Sequence, residues 1–298
     1  MFRNLALVAL VFASAACRDD AKPPFQGVDL SMNPLTDGGD PVQTDGSTGK
    51  DASSVAYTAA SAHDIDTGVV AANKPVKMTG VIATSIVAFF KAAGKTRCDY
   101  EVWVQDAGQC TTPPCGILVE VQGPPVTNNT CPKAEMSGTA LATVKQGDKL
   151  DVTGLVDDFA STGPTTDMTP KMTVVQHAVQ VGKQDSVTVT ASNQTMPDPV
   201  VVDPAVFVTY EGSGWAKYEG TLVTLQGVTV ASTDQYNNFV TTPGNANWGS
   251  TFDFLYRYTA NDAGTYPTVG MHFTSITGIV ATLFGGSLVA RGSKDFVQ

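Results

Sequence analysis

Cationic side chains are scarce in this 298-residue chain: Lys and Arg total 18 against 28 Asp and Glu, a formal charge of −10. Neutralising phosphates supplies most non-specific affinity for nucleic acid, so a chain without a basic footprint is disfavoured as a nucleic-acid binder. Lys133, Lys145 and Lys149 make only a weak cluster beside acidic residues. Histidine is rarer still, with His63, His177 and His272 alone. No H-E-x-x-H or G-x-S-x-G motif is present. Gly94-Lys95-Thr96 imitates the end of a phosphate loop, but Phe89 stands where its first glycine is required. His177 and His272 fall on strand-like segments, where structural roles are expected. A non-catalytic chain with no cofactor and no metal site is the expectation. Long apolar runs are also missing, apart from one at the N-terminus shorter than the roughly 20 residues that span a bilayer.

That N-terminal run is informative. Arg3 supplies a positive start, Leu5 to Ala13 an apolar core, and Ser14-Ala15-Ala16-Cys17 ends it with small residues and a cysteine. The segment resembles the lipobox of bacterial lipoproteins. The resemblance implies a signal peptide over 1–16, cleavage before Cys17, and lipid attachment to its thiol. Two or three acyl chains on one residue give stable membrane anchoring. Residues 17–55 are rich in Asp, Gly, Pro, Ser and Thr, as in Asp37-Gly38-Gly39-Asp40. Such a segment cannot bury a core and reads as a disordered tether. Its spaced aspartates lack the glutamate that closes a calcium-binding EF-hand loop.

The remaining chain is rich in Val and Thr, with short apolar runs between Gly, Pro and Asp clusters. This predicts an all-β fold. Candidate strands lie near 75–88, 99–106, 116–122, 148–158 and 171–181, and again near 219–231, 237–242, 252–258, 272–283 and 287–291. Thr153-Gly154-Leu155-Val156 returns as Thr277-Gly278-Ile279-Val280, and earlier as Thr79-Gly80-Val81-Ile82. The recurrence predicts two tandem five-stranded OB-fold-like barrels, over 56–195 and 196–298. Mid-strand Gly80, Gly154, Gly227 and Gly278 permit the bends that close so small a barrel. Immunoglobulin-like sandwiches are disfavoured, for they prefer about seven strands and a Trp between paired cysteines. Met196-Pro197-Asp198-Pro199 reads as a linker crossed by few contacts. Asp203-Pro204 reads as the N-cap and first residue of a short helix.

With Cys17 set aside, Cys98, Cys110, Cys115 and Cys131 remain, the arithmetic of two disulfides with three possible connectivities. Cys110 and Cys115 bracket a short hairpin, and Cys98 and Cys131 flank the second and third strands. A four-thiolate zinc site fits neither the spacing nor an oxidising compartment. On the second and third strands, Tyr100, Val102, Val104, Ile117, Val119 and Val121 form the apolar set expected to face the core. Glu101, Trp103, Gln105, Leu118, Glu120 and Gln122 are left facing outward. OB-folds usually meet ligands on this face, so Glu101, Trp103, Gln105 and Glu120 are the ligand-binding candidates. The carboxylates Asp157-Asp158 and Asp64-Ile65-Asp66 suit either calcium or solvated strand ends.

The order Thr79-Gly80-Val81-Ile82, Val102-Trp103-Val104-Gln105-Asp106, Gly116 to Val121 and Gly147 to Val156 resembles one OB-fold group. That group sits beside endonuclease/exonuclease/phosphatase-type nucleases in secreted bacterial proteins, and also occurs alone in lipoproteins. Tyr218 to Val223 and Leu288-Val289-Ala290-Arg291 resemble it more loosely. The resemblance implies fold rather than activity, since its motifs are structural. The leading expectation is a lipid-anchored binding or scaffold protein of the cell envelope, engaging a protein or a glycan. The alternatives are a nucleic-acid-binding accessory to a secreted nuclease, and an unrecognised hydrolase that clustered buried carboxylates would support.

Overall fold

The computed structural model describes residues 55–90, 96–126, 131–162, 173–207, 213–234, 238–248, 267–282 and 286–298. The expected signal peptide, Cys17 and almost all of the tether lie outside the described residues. So does the strand expected at 252–258. Fifteen strands and two short helices are found among the described residues. The first half contains β1 (Thr58–Ala59), α1 (Ala62–Asp66), β2 (Pro75–Ala83), β3 (Ala88–Phe90), β4 (Arg97–Gln105), β5 (Gly116–Pro125), β6 (Lys149–Thr162), β7 (Thr173–Val181) and β8 (Val187–Ala191). The second contains β9 (Val200–Val202), α2 (Ser213–Lys217), β10 (Leu222–Thr233), β11 (Phe239–Thr242), β12 (Ala246–Trp248), β13 (His272–Ala281), β14 (Ser287–Val289) and β15 (Phe296–Val297).

Each half closes into a five-stranded barrel. The first runs β2-β4-β5-β7-β6 and closes through antiparallel β2–β6 pairing. The second runs β10-β11-β12-β14-β13 and closes through antiparallel β10–β13 pairing. In both, the third strand lies parallel to the last, β5 to β7 and β12 to β14. In both, a short strand lies parallel beside the first, β1 beside β2 and β9 beside β10. The all-β fold of two OB-fold-like barrels is therefore observed.

The glycines occupy matching places. Gly80 takes φ +74°, and the β2–β6 register shifts between Thr79 and Val81, a bulge that lets β2 turn around the barrel. Gly227 takes φ +61° in the equivalent first strand. Gly154 and Gly278 pair with those strands at Val76 and Val223. A Cβ on Gly154 would collide with the Gln180 carbonyl oxygen and lie 2.7 Å from Val179 Cγ1.

Boundaries differ from expectation in two places. The run 75–88 divides into β2 and β3, because Thr84 donates its backbone N–H to the Trp103 carbonyl and Ser85 Oγ accepts from Trp103 N–H. The third strand of the second barrel is β12, where Trp248 pairs with Phe239 and Leu288. Asp203 does cap a short turn, accepting from Ala205 N–H at 2.9 Å, with Pro204 first in a 3-10 turn over Pro204–Val206.

Two-residue alternation fills two barrel cores and a third. Cys98, Tyr100, Val102 and Val104 of β4 pack inside the first barrel with Ile117, Val119 and Val121 of β5. Val223, Leu225, Val228, Phe273, Ile276 and Trp248 fill the second. The third core joins the barrels: Ala88, Trp103, Leu118 and Ala178 pack against Leu222, Ile279, Ala281 and Val289. The expectation of few contacts between the two halves is therefore corrected. The backbones also approach closely, so that a Cβ on either Gly116 or Gly220 would collide with the other's carbonyl oxygen.

Disulfides Cys98–Cys131 and Cys110–Cys115 resolve the connectivity. Two such bridges fit an oxidising, exported environment. No helix among the described residues is long and apolar enough to cross a membrane.

Candidate functional site

The face of β4 and β5 expected to meet a ligand is buried at all four candidate residues, and only Gln122 at its edge stays exposed. Trp103 and Gln105 are 0% exposed, Glu101 1% and Glu120 6%. For these residues and Leu118 the solvent-facing assignment fails, because β10, β13 and β14 of the second barrel supply a second apolar layer over Trp103 and Leu118. Gln105 Oε1 accepts from Leu222 N–H at 3.1 Å, and Cys115 N–H donates to Thr221 Oγ1 at 2.9 Å. Gln105 thus satisfies backbone across the seam.

Glu101 and Glu120 face one another across β4 and β5. Burial pushes the Glu101 carboxyl up to about 8, with the Asp99 charge adding to it. Burial, then repulsion from Glu101, holds Glu120 well above the ordinary carboxyl range. Close carboxyls out of water favour their neutral forms.

A second polar cluster closes the seam at another point. Ser61 caps α1 with Asp64 in a reciprocal capping box, and the Asp106 carboxylate accepts from the Ala62 and His63 N–H groups. This fixes Asp66 at the end of α1, with its side chain 1% exposed. Asp66 Oδ1 lies 2.7 Å from His177 Nδ1 on β7. Glu219 Oε2, from the segment entering β10, lies 3.0 Å from the same nitrogen. Glu219 Oε1 accepts from Gln176 Nε2 at 2.6 Å and from His177 N–H. Gln176 Oε1 reaches the second barrel, accepting from Thr282 N–H at 2.9 Å.

Burial lowers the proton affinity of His177, yet Asp66 and Glu219 outweigh it and push its pKa up to about 10. Burial raises Glu219 to about 8 and raises Asp66. One ligand atom from each of the three residues lies within 4.8 Å of the others, an arrangement that can hold a proton or a metal ion. Asp66 and His177 each stood out in the sequence for other reasons. Glu219 did not, because no spacing rule links positions 66, 177 and 219.

The other histidines are structural in their surroundings. His63 Nδ1 meets the Pro114 carbonyl at 2.7 Å, and His272 Nδ1 meets Thr229 Oγ1 at 3.3 Å. An open groove of about 610 Å3, of mixed polar and apolar lining, lies elsewhere along the seam. Gln146, Asn193 and Gln194 line it from the first half, and Arg291, Ser293 and Lys294 from the second. Gln194 is fixed there by its N–H bond to the Gly147 carbonyl, at 2.8 Å. Arg291 is held by Asp295 through bonds of 2.6 and 3.1 Å.

No family model matches the chain, and no curated protein matches it. Among solved structures, the small single-stranded DNA-binding protein from Streptomyces coelicolor is similar over 36% of this chain and 87% of its own. The identity is 12% and the TM-score 0.20, a likeness that bears on neither fold nor function.

Proposed function

We propose that the chain is a non-catalytic binding protein of the cell envelope, anchored by lipid on Cys17, that engages a glycan in the groove along its barrel seam. The groove is the observation that carries this reading. Asn193 and Ser293 offer donors and acceptors, and Gln146 and Gln194, whose amide nitrogens are held by the Thr84 and Ser192 carbonyls, add their amide oxygens as acceptors for a sugar's hydroxyls. Asp295, which also lines the groove, pairs with Arg291, so Lys294 is the cation left to meet a ligand there, a single positive charge that suits a neutral or weakly acidic glycan. The two disulfides agree with export, and the lipobox-like segment ending at Cys17 agrees with anchoring.

Co-sedimentation of the purified chain with insoluble envelope polysaccharide tests the proposal. Binding is expected, and Gln194→Ala with Lys294→Glu should weaken it about tenfold, the effect of roughly 1.4 kcal/mol. Absent binding, or binding indifferent to the double variant, overturns the glycan reading. A parallel titration with single-stranded DNA tests the nuclease-accessory alternative. Photo-crosslinking from position 194 to a protein in envelope extracts would instead make the groove's occupant a protein. For the anchor, fatty-acid labelling is expected in the wild type and lost in Cys17→Ser; equal labelling of both defeats it.

A further inference from the structure

We infer that Asp66, His177 and Glu219 form a binding site for one divalent transition-metal ion of the zinc class, which fastens the second barrel to the first. The donors are one imidazole nitrogen and two carboxylate oxygens, a set that suits zinc and its neighbours better than calcium. They come from α1, β7 and the entry to β10, so an ion held by all three ties both barrels together.

Two observations point beyond an ordinary ion pair. The first is Asp66, whose side chain is 1% exposed and whose two oxygens, although Oδ1 lies 2.7 Å from His177 Nδ1, accept no hydrogen bond of good geometry. Its Oδ1 aims at His177 Nδ1, but that nitrogen is also met by Glu219 Oε2 in hydrogen-bond geometry, and it carries at most one proton. A cation among the three would satisfy both carboxylates at once. The second is the arrangement around the donors. Gln176 Nε2 and His177 N–H both hold Glu219 Oε1, which leaves Oε2 directed at the cluster. The far ring nitrogen, His177 Nε2, faces Asp158 Oδ1 at 4.0 Å. Metal-bound imidazoles commonly direct their second N–H to a carboxylate, and Asp158 would have to close by about 1 Å to accept it.

The size is suitable. Bonds of about 2.0–2.2 Å in a tetrahedral site separate neighbouring ligand atoms by roughly 3.3–3.6 Å. The separations of 2.7 and 3.0 Å would open by about 0.3–0.9 Å to admit the ion, a shift within reach of carboxylate rotamer adjustment. His177 is 23% exposed and Asp158 41%, so the ion has a route in and water can complete its coordination.

The test uses the tag-free full chain, stripped with chelator and dialysed, so zinc itself is the probe. Uptake of one zinc per chain is expected, together with a higher unfolding temperature. Cobalt in its place should give the visible absorption of a four- or five-coordinate N,O site. Asp66→Asn, which keeps the side-chain shape, should weaken zinc uptake at least tenfold. Asp158→Asn should weaken it less. Because the cobalt spectrum is read on the wild-type chain, the outcome does not hang on the variant's folding. No uptake and no thermal shift would overturn the site and leave the cluster as a proton-holding triad. Uptake unchanged in Asp66→Asn would overturn it too, by placing the ion elsewhere.

Discussion

Gly220 and Gly116 show how little room the seam leaves at single residues. A Cβ on Gly220 would meet Ile117 N at 2.8 Å as well as the Gly116 carbonyl, and Gly220 takes φ +61°. Gly220→Val therefore combines an unfavourable backbone with a collision, and should destabilise the chain by about 2–4 kcal/mol. Gly154→Val meets only the collision, with Gln180 and Val179, and should cost about 2–3 kcal/mol. Chemical denaturation measures both; wild-type midpoints would remove the steric account. The buried carboxyl pair predicts an unusual pH dependence. Glu101 has an ordinary value of 4.5 and is raised to about 8 in the fold, so the folded state binds its proton more tightly than the unfolded chain does. Stability is then fullest below about pH 4.5 and declines as pH rises towards 8. Melting temperature should fall from pH 5 to 9, and Glu101→Gln should make that fall shallower. An identical slope in the variant would dismiss the pair as its cause.

At the scale of elements, β4 and β5 mark where the sequence was legible and where it stopped. Their alternation gave the inner set correctly, since Tyr100, Val102, Val104, Ile117 and Val119 are all fully buried. The same alternation reports only that Glu101, Trp103 and Leu118 point the other way. A face opposite the core looks the same in sequence whether it meets water or another barrel. Trp103 directly opposite Leu118 was the available signal, for two large apolar residues paired there want a cover. The polar cluster was less legible still, as its members converge only once both barrels are closed and docked. Cysteine spacing was more helpful, and it supports a prediction for the hairpin these strands form. Removing Cys98–Cys131 as a double Ser variant should cost about 3–4 kcal/mol, and removing Cys110–Cys115 about 2, by loop closure. Thiol titration of the denatured, unreduced chain should find none of these four reactive. Two or more reactive thiols would contradict both bridges.

For the whole molecule, the shared core decides cooperativity. Leu222, Ile279, Ala281 and Val289 lose their cover if the first barrel unfolds, and Trp103, Leu118 and Ala178 lose theirs if the second does. One calorimetric transition is expected, with equal calorimetric and van't Hoff enthalpies. Gly154→Val and Gly278→Val, in different barrels, should both lower it. Two transitions shifting separately would show that the seam contributes little. The seam also has a consequence in time. A chain exported N-terminus first delivers β4, β5 and β7 before β10 and β13 have emerged, so the first barrel closes with the strip around Trp103 still wet. Until the last strands arrive, that strip is a sticky surface on a half-made protein. The interval between the two halves is when an exported chain of this design is most open to aggregation or to capture by a holding factor, and slowing translocation at its C-terminal half should lengthen that exposure.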